Sequence, residues 1–184
     1  MHEQGLLDAG VAPHDAEVAT SQPVSLFGIR GTVKLTVLRS YPQDILPVVA
    51  SALQRLRVQA AGPPVCVLRP RGDGQFDVLA AYPTSRRPRI GQPFTTCRLS
   101  GGLVVRALHH GPWTTLLNTY DRLSEWLALH HIRQVPLMWE EYLVGPDRTG
   151  DPAMWRTRIV VPLTGTSARI TTGRSAAVTV PLSP

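Results

Sequence analysis

"LVVRALHHGPWTTLLNTYDRLSEWLALHHIRQVPLMWEEYLV", residues 103–144, carries three kinds of local pattern in one unbroken run. The opening LVVRAL reads as a strand. HHGPW then reads as a turn into a helix, with Pro112 suited to the first turn, where no intrahelical N–H is needed. Leu116, Tyr120, Leu123 and Leu127 follow at spacings of four, three and four, one face of a helix. VPLMWEEYLV reads as a strand again. A long turn, GPDRTGDPA, leads to a closing strand, MWRTRIVVPL.

The first half follows the same order. VKLTVLR alternates apolar Val33, Leu35 and Val37 with Lys34 and Thr36, and predicts a strand. A helix follows, with Ser40 and Asp44 as candidate caps and Pro47 placed in its first turn. Ile45, Val49, Ala52, Leu53 and Leu56 mark its apolar face. Gly62-Pro63-Pro64 breaks the chain. VCVLR is a strand, RGDGQ a turn and FDVLAAY a second strand. Both halves therefore read strand, helix, strand, strand. The expected fold is α+β: tandem β-α-β-β repeats related by a pseudo-twofold axis, forming an antiparallel sheet with two main helices. A single such unit leaves an apolar sheet face exposed, so two of them pair. A ligand cleft is expected at their junction.

Around this core, residues 1–22 show no sustained period and read as a flexible N-terminal extension. Residues 164–184 read as a flexible tail, in which AAVTVPL could add an edge strand. The domain is expected over 23–163, with repeats at about 23–88 and 89–163.

Bulk properties restrict the function. The chain has 184 residues, 43% hydrophobic and 17% charged, a globular balance. Net charge is +6, from 19 basic and 13 acidic residues; Lys34 is the only lysine. Glu3, Asp8, Asp15 and Glu17 fall in the first twenty residues without a basic partner, so the remainder is near +10. No basic stripe or helix-turn-helix pattern accompanies this charge, which argues against nucleic acid as a partner. Cys66 and Cys97 are far apart, and the acidic N-terminus lacks the basic and apolar regions of a signal peptide. Both features suit a cytoplasmic protein with reduced thiols. No apolar run is long enough to span a membrane. His109, His110, His130 and His131, four of the six histidines, match no zinc spacing, and neither metal nor cofactor is expected. No G-x-S-x-G elbow supports a serine nucleophile.

Chemistry concentrates in PLMWEEYL. Strand alternation puts Met138, Glu140 and Tyr142 on one face, and Leu137, Trp139, Glu141 and Leu143 on the other. At most one glutamate can face a given pocket. Trp113, Tyr120, Trp126, Trp139, Tyr142 and Trp155 all lie in the second half, either as core or as walls that stack flat ligands.

The combination of His110-Gly111-Pro112-Trp113, Trp139-Glu140-Glu141-Tyr142 and Thr157-Arg158-Ile159-Val160-Val161-Pro162 resembles the GyrI-like small-molecule-binding family. That family includes effector-binding domains of multidrug-responsive transcription regulators. The likeness spans about residues 30–163 and is more specific in the second half; Trp113 stands where tyrosine is frequent. It implies that Glu140 is the pocket carboxylate and Glu141 its solvent-facing neighbour. Tyr142, Trp113, Met138, Tyr120 and Trp139 would then contact a flat, often cationic aromatic ligand. The DNA-binding head of the family's regulators is not expected in the 30 residues before the first strand. The resemblance also carries two other readings. One is a hydrolase of cyclopropane-containing, DNA-alkylating natural products, with Glu140 and Tyr142 as its catalytic groups. The other is a protein-interaction or gyrase-modulating role, which the basic body suits poorly. A homodimer is compatible with all three.

Overall fold

The computed structural model describes residues 16–88, 91–132, 135–163 and 171–172. Among the described residues nine strands form one antiparallel sheet: β1 (Ala16–Ser21), β2 (Val24–Lys34), β3 (Val65–Pro70), β4 (Gln75–Pro83), β5 (Phe94–Leu99), β6 (Gly102–His110), β7 (Met138–Val144), β8 (Arg156–Pro162) and β9 (Thr171–Thr172). Helix α1 (Ser40–Arg55) separates β2 from β3, and α2 (Leu116–Leu129) separates β6 from β7. The fold is the expected α+β one, an antiparallel sheet with two main helices.

Strand order is β1-β6-β8-β7-β3-β4-β2-β5-β9. Leaving out the two-residue β9, it is palindromic. The sequence β6-β8-β7 mirrors β2-β4-β3, and the halves meet where β7 pairs with β3. There Cys66 lies opposite Glu140 and Leu68 opposite Met138. Each half owns a further strand that it lends to the other: β1 pairs with β6, and β5 with β2.

These loans fix the overall shape. In a flat sheet β1 and β2 would lie six places apart, roughly 29 Å at ~4.8 Å per strand. Yet Ser21 and Val24 are three Cα steps apart, a reach of at most ~11 Å. The same holds between Leu99 and Gly102. The sheet must therefore curl until its ends lie side by side. An ideal Cβ on Gly101 would sit 2.5 Å from the Ser21 carbonyl oxygen, which shows how closely the two connections pass.

Curling explains how one sheet face is buried without a helix on it. Leu26, Val67, Leu79, Trp139 and Val160 are each no more than 4% exposed on that face, and no helical residue joins their cluster. The helices cover the other face. Val49, Ala52 and Leu53 of α1 pack on Phe27 and Ile29 of β2. Leu116, Leu123 and Leu127 of α2 pack on Val105, Ala107, Ile159 and Val161. The helical spacing seen in the sequence of α2 is this buried stripe; Tyr120 lies partly buried at its edge.

Several expectations need correction. Residues 16–21, read as part of a loose extension, are strand β1. The first long strand ends at Lys34, its last pair with β4 being Lys34 with Gln75. Leu35–Val37, read as strand by alternation, form a 3-10 turn in which Leu35 is 60% exposed. The chain has no strand partner there and turns toward α1. Ser40 and Asp44 cap nothing: α1 begins at Ser40, its flanking residue is Arg39, and no side-chain cap bond forms. Pro42 occupies the first turn, and Pro47 lies in the helix interior. Of the tail, only Thr171–Thr172 is described, pairing with Arg98 and Cys97 at the edge of β5. AAVTVPL lies outside the described residues.

Candidate functional site: an apolar cavity with a buried carboxylate

At the junction of the halves the two helices leave the centre of the sheet uncovered. A cavity of about 570 Å³ opens there. β7 supplies Met138, Glu140 and Tyr142, β3 supplies Cys66 and Leu68, and the helix entrances supply Leu38, Arg39, Pro42, Trp113, Leu116 and Tyr120. The volume lies in the range of drug-sized ligand sites.

Glu140 lies 9% exposed in this apolar setting. Both carboxylate oxygens are bonded. Tyr120 Oη donates to Oε1 at 2.8 Å and Tyr142 Oη donates to Oε2 at 2.7 Å. Hydrogen bonds to a charged group contribute about 1.5–3 kcal/mol each. Two of them offset part of the several kcal/mol lost on burying a carboxylate. The balance is visible in its acidity. Burial pushes the Glu140 pKa up, while the Tyr142 and Tyr120 hydroxyls and the more distant charge of Arg39 pull it down, and burial wins. Burial, with the neighbouring carboxylate, also raises both tyrosine hydroxyls well above their ordinary value, so they remain donors. Among the described residues Glu140 forms no ion pair.

Two elements set this geometry. Alternation along β7 puts Glu140 and Tyr142 on the helix-facing side, and α2 brings Tyr120 over them. The His-Gly-Pro turn holds the aromatic wall. Gly111 takes φ +110°, a conformation that side chains disfavour, and its N–H donates to the Trp155 carbonyl at 3.0 Å. His109, read from the sequence as a turn residue, is the penultimate residue of β6 and is buried. Its Nδ1 lies 2.8 Å from Thr119 Oγ1, and its Nε2 lies 3.1 Å from the Pro112 carbonyl. Desolvation lowers its pKa, which keeps the ring neutral. An Nε2–H donating to Pro112, with Nδ1 accepting from Thr119, satisfies both atoms. The ring thus pins the end of β6 to the start of α2. Trp113, next in the turn, donates from Nε1 to Thr157 Oγ1 at 3.1 Å. Its ring lies 5.1 Å from that of Tyr142 and 4.8 Å from that of Trp155.

Five of the six residues named from the sequence meet in the cavity: Glu140, Tyr142, Trp113, Met138 and Tyr120. Trp139 does not. It points to the enclosed face, 4% exposed, and donates from Nε1 to Glu141 Oε1 at 3.1 Å. No bulge reverses the alternation at that point. Glu141 is not a free solvent-facing group either; Arg158 Nη1 donates to its Oε2 at 2.8 Å. Cys66, Leu68, Phe76, Leu38 and Arg39 were not anticipated. Alternation within VCVLR already pairs Cys66 with Leu68 on one face. Which strand of the other half lies beside them is not written in local pattern. Burial raises the Cys66 thiol well above its ordinary value, with the Glu140 charge acting in the same sense. Among the described residues, no group of three His, Cys, Asp or Glu side chains could hold a metal ion. No helix among them is long and apolar enough to cross a membrane.

The GyrI-like small molecule binding domain model matches residues 14–164. The chain belongs to the GyrI-like family. Its architecture suits small-molecule effector binding. No curated protein matches the chain. Among solved structures, the EcmrR C-terminal domain is similar at 17% identity and TM-score 0.70, covering 80% of this chain and 96% of that one. Against EcmrR in its DNA complex the identity is 19% and the TM-score 0.69. There this GyrI-like chain spans only 56% of the relative's length. SAV2435 bound to tetraphenylphosphonium is similar at 13% identity and TM-score 0.64, covering 82% and 94%. A hydrolase from Listeria innocua is similar at 10% identity and TM-score 0.55, covering 84% and 94%. At these identities the likeness concerns the fold.

Proposed function

We propose that this GyrI-like domain binds flat, hydrophobic, cationic aromatic molecules in the cavity over β3 and β7, in the service of drug or toxin sequestration or resistance. One observation carries the reading. A buried carboxylate, held by two phenols and without an ion-pair partner among the described residues, lies in an otherwise apolar, aromatic-walled cavity. Such a charge is costly to bury and finds its natural counterpart in a cation brought by a ligand. Trp113 and the tyrosine rings would add cation–π contacts of up to ~2 kcal/mol each when desolvated. The likeness in fold to a protein solved with tetraphenylphosphonium, a hydrophobic aromatic cation that is tetrahedral and not flat, supports the cationic and aromatic part of this reading.

The test is titration of wild type and Glu140→Gln with tetraphenylphosphonium and rhodamine dyes, followed by tryptophan fluorescence. Loss of the charge is expected to weaken binding about 30-fold, the ~2 kcal/mol at the low end for a buried charge contact. Equal affinity in the two proteins would sink the reading.

A hydrolytic reading is favoured by one specific feature: burial raises the pKa of Glu140, a shift in the direction that a general acid needs in order to hold its proton. It is supported by the fold shared with a hydrolase. In that case the same titration, read by ligand mass, shows a cyclopropane-bearing compound gaining one water, and Glu140→Gln stops it. Binding without change of mass leaves the domain a binder.

A further inference from the structure

The cavity has a second charged group. Among the described residues that line it, Arg39 is the only basic side chain and Glu140 the only acidic one. The two are differently placed. Glu140 is buried on the central strand β7, whereas Arg39 is exposed where the chain enters α1. Arg39 caps nothing and forms no ion pair among the described residues. Its Nη1 makes one long hydrogen bond, 3.4 Å, to the carbonyl of Thr114 in the turn before α2. That bond runs from the entrance of one helix to the entrance of the other, across the rim of the cavity. A guanidinium is always charged and prefers planar, bidentate anions to a lone neutral carbonyl. Its field reaches the floor, since it favours the ionised form of Glu140.

A purely cationic ligand is thus attracted at the floor and opposed at the rim. A ligand with a cationic aromatic body and an anionic substituent matches both ends. We propose that Arg39 is a specificity-determining residue that selects dipolar ligands: flat aromatic cations bearing a carboxylate or comparable anionic group directed to the rim. The inference rests on the cation-binding reading of the same cavity and narrows its ligand class.

Rhodamine B and its ethyl ester test it, because they share one cationic chromophore and differ in a single carboxylate. Wild type is expected to bind rhodamine B about five-fold more tightly than the ester, the order of one partly solvated charge pair. Arg39→Gln should abolish that preference, and Arg39→Glu should invert it. Glu140→Gln should weaken both dyes alike. Arg39 is exposed, so neither variant threatens folding. Equal or tighter binding of the ester by wild type overturns the proposal, and so does a preference that survives in Arg39→Gln. In either case loss of both dyes in Glu140→Gln leaves the cation reading standing. If wild type binds neither dye, that reading fails and the role of Arg39 falls with it.

Discussion

Glu140 faces two opposed demands, and its surroundings answer both. It must stay ionised to attract a cation, yet sit away from water to make that attraction strong. Tyr120 and Tyr142 serve the first demand by donating to both oxygens. The apolar lining serves the second and raises the carboxyl pKa above its ordinary 4.5. Affinity for a permanent cation such as tetraphenylphosphonium should therefore fall on acidification, beginning at a higher pH than an ordinary glutamate would set. The effect on stability has the opposite sign. Between the unfolded and the raised folded pKa, the folded chain holds more protons than the unfolded one. The contribution of Glu140 to stability is thus fully present below the unfolded value and is lost as pH rises through the folded one. Titrations from neutral pH down to 4.5, with thermal melts beside them, should show binding and this stability term moving in opposite directions. Glu140→Gln should flatten the binding curve and remove this term from the melts, leaving the loss of stability on acidification that the lowered pKa of buried His109 brings. A wild-type affinity independent of pH over that range would mean that Glu140 does not meet the cation.

At the scale of elements, α1 carries a visible conflict. Pro47 sits in the interior of a sixteen-residue helix. It brings no N–H, and its ring crowds the carbonyl of Gln43 one turn back. Pro47 is exposed, so no buried packing depends on it. Pro47→Ala should stabilise the protein by about 1–3 kcal/mol, part of the helix penalty of proline being offset by its stiffening of the unfolded chain. A melting temperature that stays level or falls would show that Pro47 is needed to seat α1 against β2. The apolar period of α2 and the alternation in β7 are local, and both were legible; they gave the helix face and put Glu140 with Tyr142. The length of β2 was not legible, because Gly28 and Gly31 interrupt its alternation. Both glycines answer to distant neighbours. A Cβ on Gly28 would meet the Ala80 carbonyl oxygen, and one on Gly31 the ring of Tyr41. Cys66, Leu68 and Arg39 were missed for a related reason. Their place in the cavity depends on β3 meeting β7 and on α1 facing α2, pairings between halves that no period within one half encodes.

For the whole molecule, the exchange of β1 and β5 decides the shape. Two connections of two residues each join strands that a flat sheet would hold roughly 29 Å apart. The curl they impose encloses the cluster around Trp139, and the helices lie on the opposite face with the cavity between them. Gly101 marks the point where the connections pass. A side chain there would stand 2.5 Å from the Ser21 oxygen and 2.7 Å from Pro23 Cδ, closer than packed atoms approach. Gly101→Ala must push the β1–β2 connection away from the β5–β6 connection, loosening the closure. Overpacking of this kind costs about 1–3 kcal/mol, a fall of roughly 4–8 °C near the middle of that range for a chain of this size. Gly72→Ala is the matched control, since nothing lies within 4 Å of its added methyl. The cavity lies over β3 and β7, far along the sheet from this crossing, so the folded variant should keep its dye affinity. Equal melting temperatures for the two variants would show that the sheet can curl without these close-passing links.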